Sequence, residues 1–212
     1  RSLAGAYAMV ENLDHNIGRI RKALDRLGLT DSTHLLFFSD HGDMHGSHGQ
    51  IHKTSPFEES IRVPFLISGG STHYGVGAGM RTDCPVNHVD IAPTSLGLCG
   101  LPVPEWMEGF DYSGLRLRRD DSGPDSAYIQ SVIPTRHAHS VDRAWRGLVT
   151  RDGWKYVCLE RTPWLLFNLN EDPYEWANMA LNTAYDGVRK RLHDRLRAWI
   201  ADTEDAFDLP EI

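Results

Sequence analysis

The 212-residue sequence contains no apolar run that approaches the length of a bilayer span, so it offers no candidate membrane-spanning helix. It has no block of basic residues either. Lys and Arg are scattered and the net charge is −7, which argues against nucleic acid or an anionic membrane as a partner. Cysteine is scarce: Cys84, Cys99 and Cys158 are odd in number, so at least one thiol stays outside any internal disulfide and no secreted disulfide framework is indicated. This favours the cytoplasm over the periplasm or secretion while leaving the compartment open. Arg1-Ser2-Leu3-Ala4-Gly5 shows neither an initiator Met nor the n-region and h-region of a signal peptide, and the chain reads as beginning mid-protein. Helical HExxH spacing is missing, which removes a zincin reading. The glycines at 69, 70, 75, 77 and 79 lack a Walker pattern and mark a surface loop.

What is present is enough for a globular core, at 41% hydrophobic and 24% charged residues. The most informative stretch is Leu35 to Ser68. Leu35-Leu36-Phe37-Phe38 predicts a short strand buried on both faces, and Ser39-Asp40-His41-Gly42 follows where an α/β sheet delivers ligands at its carboxyl edge. Asp40 and His41 are therefore candidate metal ligands. The loop up to Lys53 also carries His45, His48, His52 and Asp43, a composition suited to a divalent cation, with a plain solvated loop as the alternative.

Before this stretch, Tyr7, Val10, Leu13, Ile17, Ile20, Leu24 and Leu27 recur at helical steps and predict an amphipathic helix ending near Gly28. After it, residues 61–67 predict a second strand. Asp90 fits a helix N-cap, a structural role preferred over metal ligation for both His88 and Asp90. A charged stretch with glycine and proline, Arg116 to Ser126, suggests a linker. Four β-rich runs follow, at 127–132, 144–150, 154–159 and 164–169, with Arg151-Asp152-Gly153 as a hairpin signal. Asp172-Pro173-Tyr174-Glu175 predicts a helix start with a capping box, and residues 184–201 a last helix that covers the small sheet.

Asp40-His41-Gly42, Gly46-Ser47-His48-Gly49, Lys53 and Phe57-Glu58-Glu59-Ser60-Ile61-Arg62-Val63-Pro64 together resemble the second signature block of the sulfatases, within the alkaline phosphatase superfamily. The resemblance extends over essentially the whole chain and is strong at three places: Asp40 to Pro64, Asn87 to Thr94 and Trp154 to Met179. The resemblance implies an α/β fold: residues 1–112 as the carboxyl-terminal part of a wound-sheet catalytic domain, 113–126 as linker, and 127–212 as a small antiparallel sheet with a C-terminal helix. It also implies that Asp40 and His41 bind a divalent metal, calcium first and manganese or magnesium otherwise, and that Lys53 binds a sulfate oxygen near the leaving group. His48 becomes a candidate proton donor, with loop stabilisation as its alternative role. His137 and His139, beside Arg136, become candidates for contact with the alcohol portion of a small-molecule or saccharide sulfate ester.

Sulfatases carry their nucleophile, a formylglycine made from Cys or Ser, in a Cys/Ser-x-Pro-x-Arg motif that this sequence does not contain. Asp40 and His41 are also too few to hold a hard cation tightly. The resulting expectation is the carboxyl-terminal half of a sulfuric ester hydrolase, inactive alone and partnered by a missing amino-terminal half. Two alternatives stand beside it: a phosphonate monoester or phosphodiester hydrolase of the same superfamily, and a non-catalytic truncated fragment.

Overall fold

Helix α1 (Ser2–Leu27) stops where Gly28 adopts a positive φ of 66°, with the Leu29 N–H returning 2.9 Å to the Leu24 carbonyl. In the computed structural model of the protein, which describes residues 2–70, 81–117, 123–132 and 141–212, much of the apolar stripe of α1 faces solvent. Tyr7 is 67% exposed and Val10 61%. Strand β1 (His34–Phe38) pairs antiparallel with β2 (Phe65–Gly69), from His34 opposite Gly69 to Phe38 opposite Phe65. The expected burial of β1 on both faces is not found. His34 to Phe37 are half-buried and Phe38 is exposed, because among the described residues the sheet has only two strands and neither is sandwiched.

Between these strands lies the His-rich loop, closed by the single turn of helix α2 (Glu58–Ile61). Helix α3 (Ile91–Leu98) is entered through a 3₁₀ turn at His88–Asp90. Asp90 is not the cap itself. Asn87 caps the turn, while the Asp90 carboxylate reaches back to the Asn87 N–H at 2.7 Å and also accepts from the Phe110 N–H at 2.7 Å. The span read as linker opens with a short helix, α4 (Ser113–Leu117), whose Arg116 donates to the Gly69 carbonyl at 2.9 Å.

The second sheet is an antiparallel meander, β3 (Ser126–Ser131), β4 (Trp145–Thr150), β5 (Trp154–Leu159) and β6 (Thr162–Asn168), in that spatial order. Its β4–β5 turn closes through the Gly153 N–H on the Thr150 carbonyl at 3.0 Å, with Gly153 at φ +85° as the Asp-Gly pair predicts. One face packs Tyr128, Leu148, Tyr156 and Leu166 against Leu192, Leu196 and Ile200 of helix α5 (Asp186–Asp202). The other packs Trp145, Val157, Leu165 and Phe167 against Met44 and Phe57, which belong to the His-rich stretch. The sheet is therefore filled on both sides: one covering layer is a helix, the other is the loop that follows β1. All three cysteines are free thiols, and burial pushes Cys158 up to about 12.

No helix starts at Asp172. Residues 171–180 are turns and irregular backbone, and Glu175 sits at φ +57°, outside helical space. The reason is tertiary: the Glu175 side chain points inward to a buried ammonium, that of Lys155, and the backbone follows it. Nearby, Asn178 accepts from the Leu166 N–H at 3.0 Å and donates to the Trp164 carbonyl at 2.8 Å, bonding the outer edge of β6.

Candidate metal and anion site

The chain leaves β1 at Phe38 and turns at once, so Asp40 and His41 are no longer on opposite faces of an extended strand. Gly42 makes this turn possible. A Cβ there would collide with the Glu59 carbonyl oxygen, and the Gly42 N–H donates to the Ser60 carbonyl at 2.8 Å, pinning the turn to α2. From the other side, His88 Nε2 lies 2.7 Å from the Ser39 carbonyl, which can only accept, so that nitrogen donates.

His41 Nδ1 lies 2.8 Å from the Gly42 carbonyl and must carry the proton. Nε2 is then an unprotonated acceptor, the tautomer that a metal-binding imidazole needs. Facing it are the Lys53 ammonium at 2.7 Å and Asp40 Oδ2 at 3.4 Å. Desolvation alone would raise the Asp40 carboxyl. The backbone N–H of His41 at 2.9 Å, with the nearby ammonium charge of Lys53, outweighs it and holds the group below its ordinary value.

A hard cation that binds two donors at right angles, about 2.3–2.6 Å from each, sets them about 3.3–3.7 Å apart. The 3.4 Å between Asp40 Oδ2 and His41 Nε2 fits that geometry for one edge of a coordination shell. Two ligands do not fill six or more positions, so the rest of the shell must come from other groups. The three side chains open onto a cleft of about 1050 Å³ that also reaches Asn87, His88 and Tyr128.

His48 is placed elsewhere. Its ring stacks on Phe57 with centroids 3.8 Å apart, and it is not among the residues lining the cleft. His48, Glu59 and Glu175 form a His/carboxylate group whose ligand atoms lie within 4.8 Å of one another. That group suits a cation poorly, because Glu175 already receives the Lys155 ammonium at 2.6 Å and the Glu58 N–H at 2.7 Å. His137 and His139, with Arg136, lie outside the described residues.

Sequence reasoning did not single out Lys155 or Trp145, and it read Glu175 as a helix-capping residue rather than as the partner of a buried lysine. Lys155 is fully buried on β5 and bonds the Pro56 carbonyl at 2.9 Å, Glu58 at 2.7 Å and Glu175 at 2.6 Å. Burial raises the Glu175 carboxyl in spite of the opposing pull of Lys155. The available signal was a lone lysine inside the apolar run of a strand, where an unpaired charge is too costly to leave.

The Sulfatase family model matches residues 1–101. The ulvan-active sulfatase of Formosa agariphila is 31% identical over 209 residues, covering 97% of this chain and 40% of that protein. A protein solved in complex with its substrate, D-glucosamine-2-N,6-O-disulfate, superposes with a TM-score of 0.82 at 26% identity, over 93% of this chain and 40% of its own. The phosphonate monoester hydrolase of Agrobacterium radiobacter superposes with a TM-score of 0.78 at 27% identity, over 92% of this chain and 40% of its own. This chain thus spans about two fifths of the length of these proteins. The likeness runs through both sheets and the C-terminal helix as well as the signature stretch, so the chain is similar to sulfatases over nearly its whole length and matches the Sulfatase family model over residues 1–101.

Proposed function

We propose that these residues form the part of a sulfuric ester hydrolase that supplies two metal ligands and an anion-binding ammonium. The observation that carries the reading is the convergence of Asp40 Oδ2 and Lys53 Nζ on the unprotonated Nε2 of His41, at 3.4 and 2.7 Å. Asp40 offers a carboxylate oxygen and His41 its Nε2 to a divalent cation, calcium in this reading and manganese or magnesium otherwise. When bound, such an ion supplies Lewis-acid polarisation of the ester's anionic oxygens. Lys53 places a fixed positive charge where negative charge develops on the departing oxygen. His48, stacked on Phe57, is assigned to holding the loop rather than to proton transfer.

In this reading the nucleophile is a formylglycine in a segment outside these 212 residues, and the chain alone is inactive. The exposed apolar stripe of α1 and the uncovered faces of β1 and β2 support a complementary segment that packs there. The division into residues 1–112, 113–126 and 127–212 belongs to the same proposal, as does contact of His137 and His139 with the alcohol portion of the ester. The substrate class proposed is a sulfated saccharide, supported by the disulfated glucosamine complex and the ulvan-active relative. The likeness to a phosphonate monoester hydrolase keeps a second reading, since the same cation and ammonium serve either anion.

Calorimetric titration of the purified chain with Ca²⁺ and Mn²⁺ tests the metal assignment. Binding is expected to be weak, with Kd about 10⁻⁴–10⁻³ M, and to disappear in Asp40→Asn. No heat with either ion in the wild-type chain overturns the assignment. Paired rates on an aryl sulfate and an aryl phosphonate, for the protein that joins this chain to a Cys/Ser-x-Pro-x-Arg segment, decide between the two readings.

A further inference from the structure

Lys53 sits in a segment whose backbone is strained on both sides of it. His52 has φ +69° and Thr54 φ +73°, and a positive φ at a β-branched residue persists only where the surroundings over-determine it. Those surroundings are the inner face of the four-stranded sheet. Trp145 Nε1 donates to the Thr54 carbonyl at 3.0 Å, and the Thr54 hydroxyl, 2.5 Å from the Lys53 carbonyl, also lies 3.3 Å from the Val141 carbonyl. Further along, all three hydrogens of the Lys155 ammonium are used: on the Pro56 carbonyl, on Glu58 and on Glu175. Glu175 in turn accepts the Glu58 backbone N–H at 2.7 Å.

Trp145 pairs with Leu159 and Lys155 with Val149, so both project from the same face of the sheet, four residues or about 13 Å apart along the strands. They grip the Lys53 segment at two points, Thr54 and the Pro56–Glu58 turn. A buried ion cluster is a poor stabiliser compared with an apolar replacement of the same volume, but its bonds have direction and apolar contacts do not. Directed bonds of this kind fit a device that fixes a position.

We propose that Trp145, Lys155 and Glu175 are positioning residues for Lys53: they hold segment 52–58 in its strained path and so aim the ammonium at His41. The inference rests on the reading of Lys53 as an anion-binding group. It makes the C-terminal sheet a working part of the site rather than an appendage.

Limited trypsin cleavage of the 212-residue chain, mapped by mass spectrometry, tests it. In Trp145→Phe, and in Lys155→Met combined with Glu175→Gln, which leaves Glu58 its Arg62 partner at 3.8 Å, cleavage after Lys53 is expected to accelerate about tenfold or more while cleavage after Lys190 in α5 is unchanged. A purely global role moves both sites together, and that result, or no change at Lys53, overturns the proposal. If the variants do not fold, hydrogen exchange of the wild-type chain decides. The Glu58 amide is expected to be as protected as that of Val157 in β5, and exchange at the rate of a surface loop rejects the strut. Inorganic sulfate separates this from the underlying reading. If Lys53→Ala leaves sulfate binding by NMR unchanged, the anion assignment fails while the cleavage result still decides the strut. If Lys53→Ala weakens sulfate binding, Trp145→Phe should weaken it too, with no further loss when the two are combined.

Discussion

The two sheets of this chain are stabilised in opposite ways. In the second, Leu148, Tyr156, Val157 and Leu166 are 0% exposed, and each face meets a complete covering layer, α5 on one side and the Met44–Phe57 stretch on the other. In the first, Leu66 is 60% exposed, Phe38 44%, and the neighbouring α1 turns its apolar stripe outward. Apolar patterning was equally clear in both regions. What differs is whether a second layer exists to receive it, and burial, not patterning, supplies the free energy. The loop that carries the candidate site lies between them: its Asp40–His41 end hangs from the open sheet and its Lys53 end is bonded to the closed one.

The largest expected effect is at Glu175. Glu175→Ala leaves the buried Lys155 short of one carboxylate and the Glu58 N–H without its acceptor, and should cost about 3–5 kcal/mol by urea denaturation. The combined Lys155→Met and Glu175→Gln variant should recover most of that loss, and a double variant as unstable as Glu175→Ala would contradict the argument. Next, Leu148→Ala in the closed sheet should cost about 2–5 kcal/mol. Leu66→Ala in the open sheet should cost well under half as much. Equal losses would erase the contrast between the sheets.

A smaller effect is set by pH. His193 on α5 is fully buried against Tyr156, whose hydroxyl lies 3.2 Å from Nδ1. Burial first, then the charges of Arg197 and Arg189 against the opposing pull of Asp194, lower its pKa below the ordinary histidine value of 6.5. The unfolded chain therefore binds the proton more readily than the folded one. Stability from this group is complete above about pH 6.5 and falls as pH drops below it toward the lowered folded value, with a slope of at most about 1.4 kcal/mol per pH unit. Urea midpoints between pH 7 and pH 5 should show the decline, and His193→Gln should flatten it. The smallest effect is on α1. Val10→Lys, on the exposed stripe, should change the stability of this chain by no more than about 0.5 kcal/mol. A larger loss would mean that the stripe is already covered in solution.

Much of the site was readable because it is local. Asp40, His41 and Lys53 stand thirteen positions apart in a stretch whose strand, glycine turn and lysine each left a mark in the sequence, and the structure brings the three together. Asp172 and Glu175 carried an equally clear local mark, for a helix start, and it misled. A capping box is worth about as much as one or two hydrogen bonds, whereas a buried ammonium on another strand offers Glu175 a charged partner that no water can replace. His48 was read beside its loop neighbours, yet the side chain it meets is Phe57, nine residues on.

From the sequence alone came the main helices and most strands, the register of α1's apolar stripe, the hairpin at Asp152-Gly153 and the stretch that carries the candidate ligands, since each depends on periodicity or turn chemistry within a few residues. Tertiary structure alone decided that the Lys53 loop forms one wall of the C-terminal sheet's core, and that Trp145, Lys155 and Glu175 meet that loop from strands and turns some 90 to 120 residues away. Pairings of that range depend on which surfaces are left over once the local elements have formed, and no window of sequence carries that information.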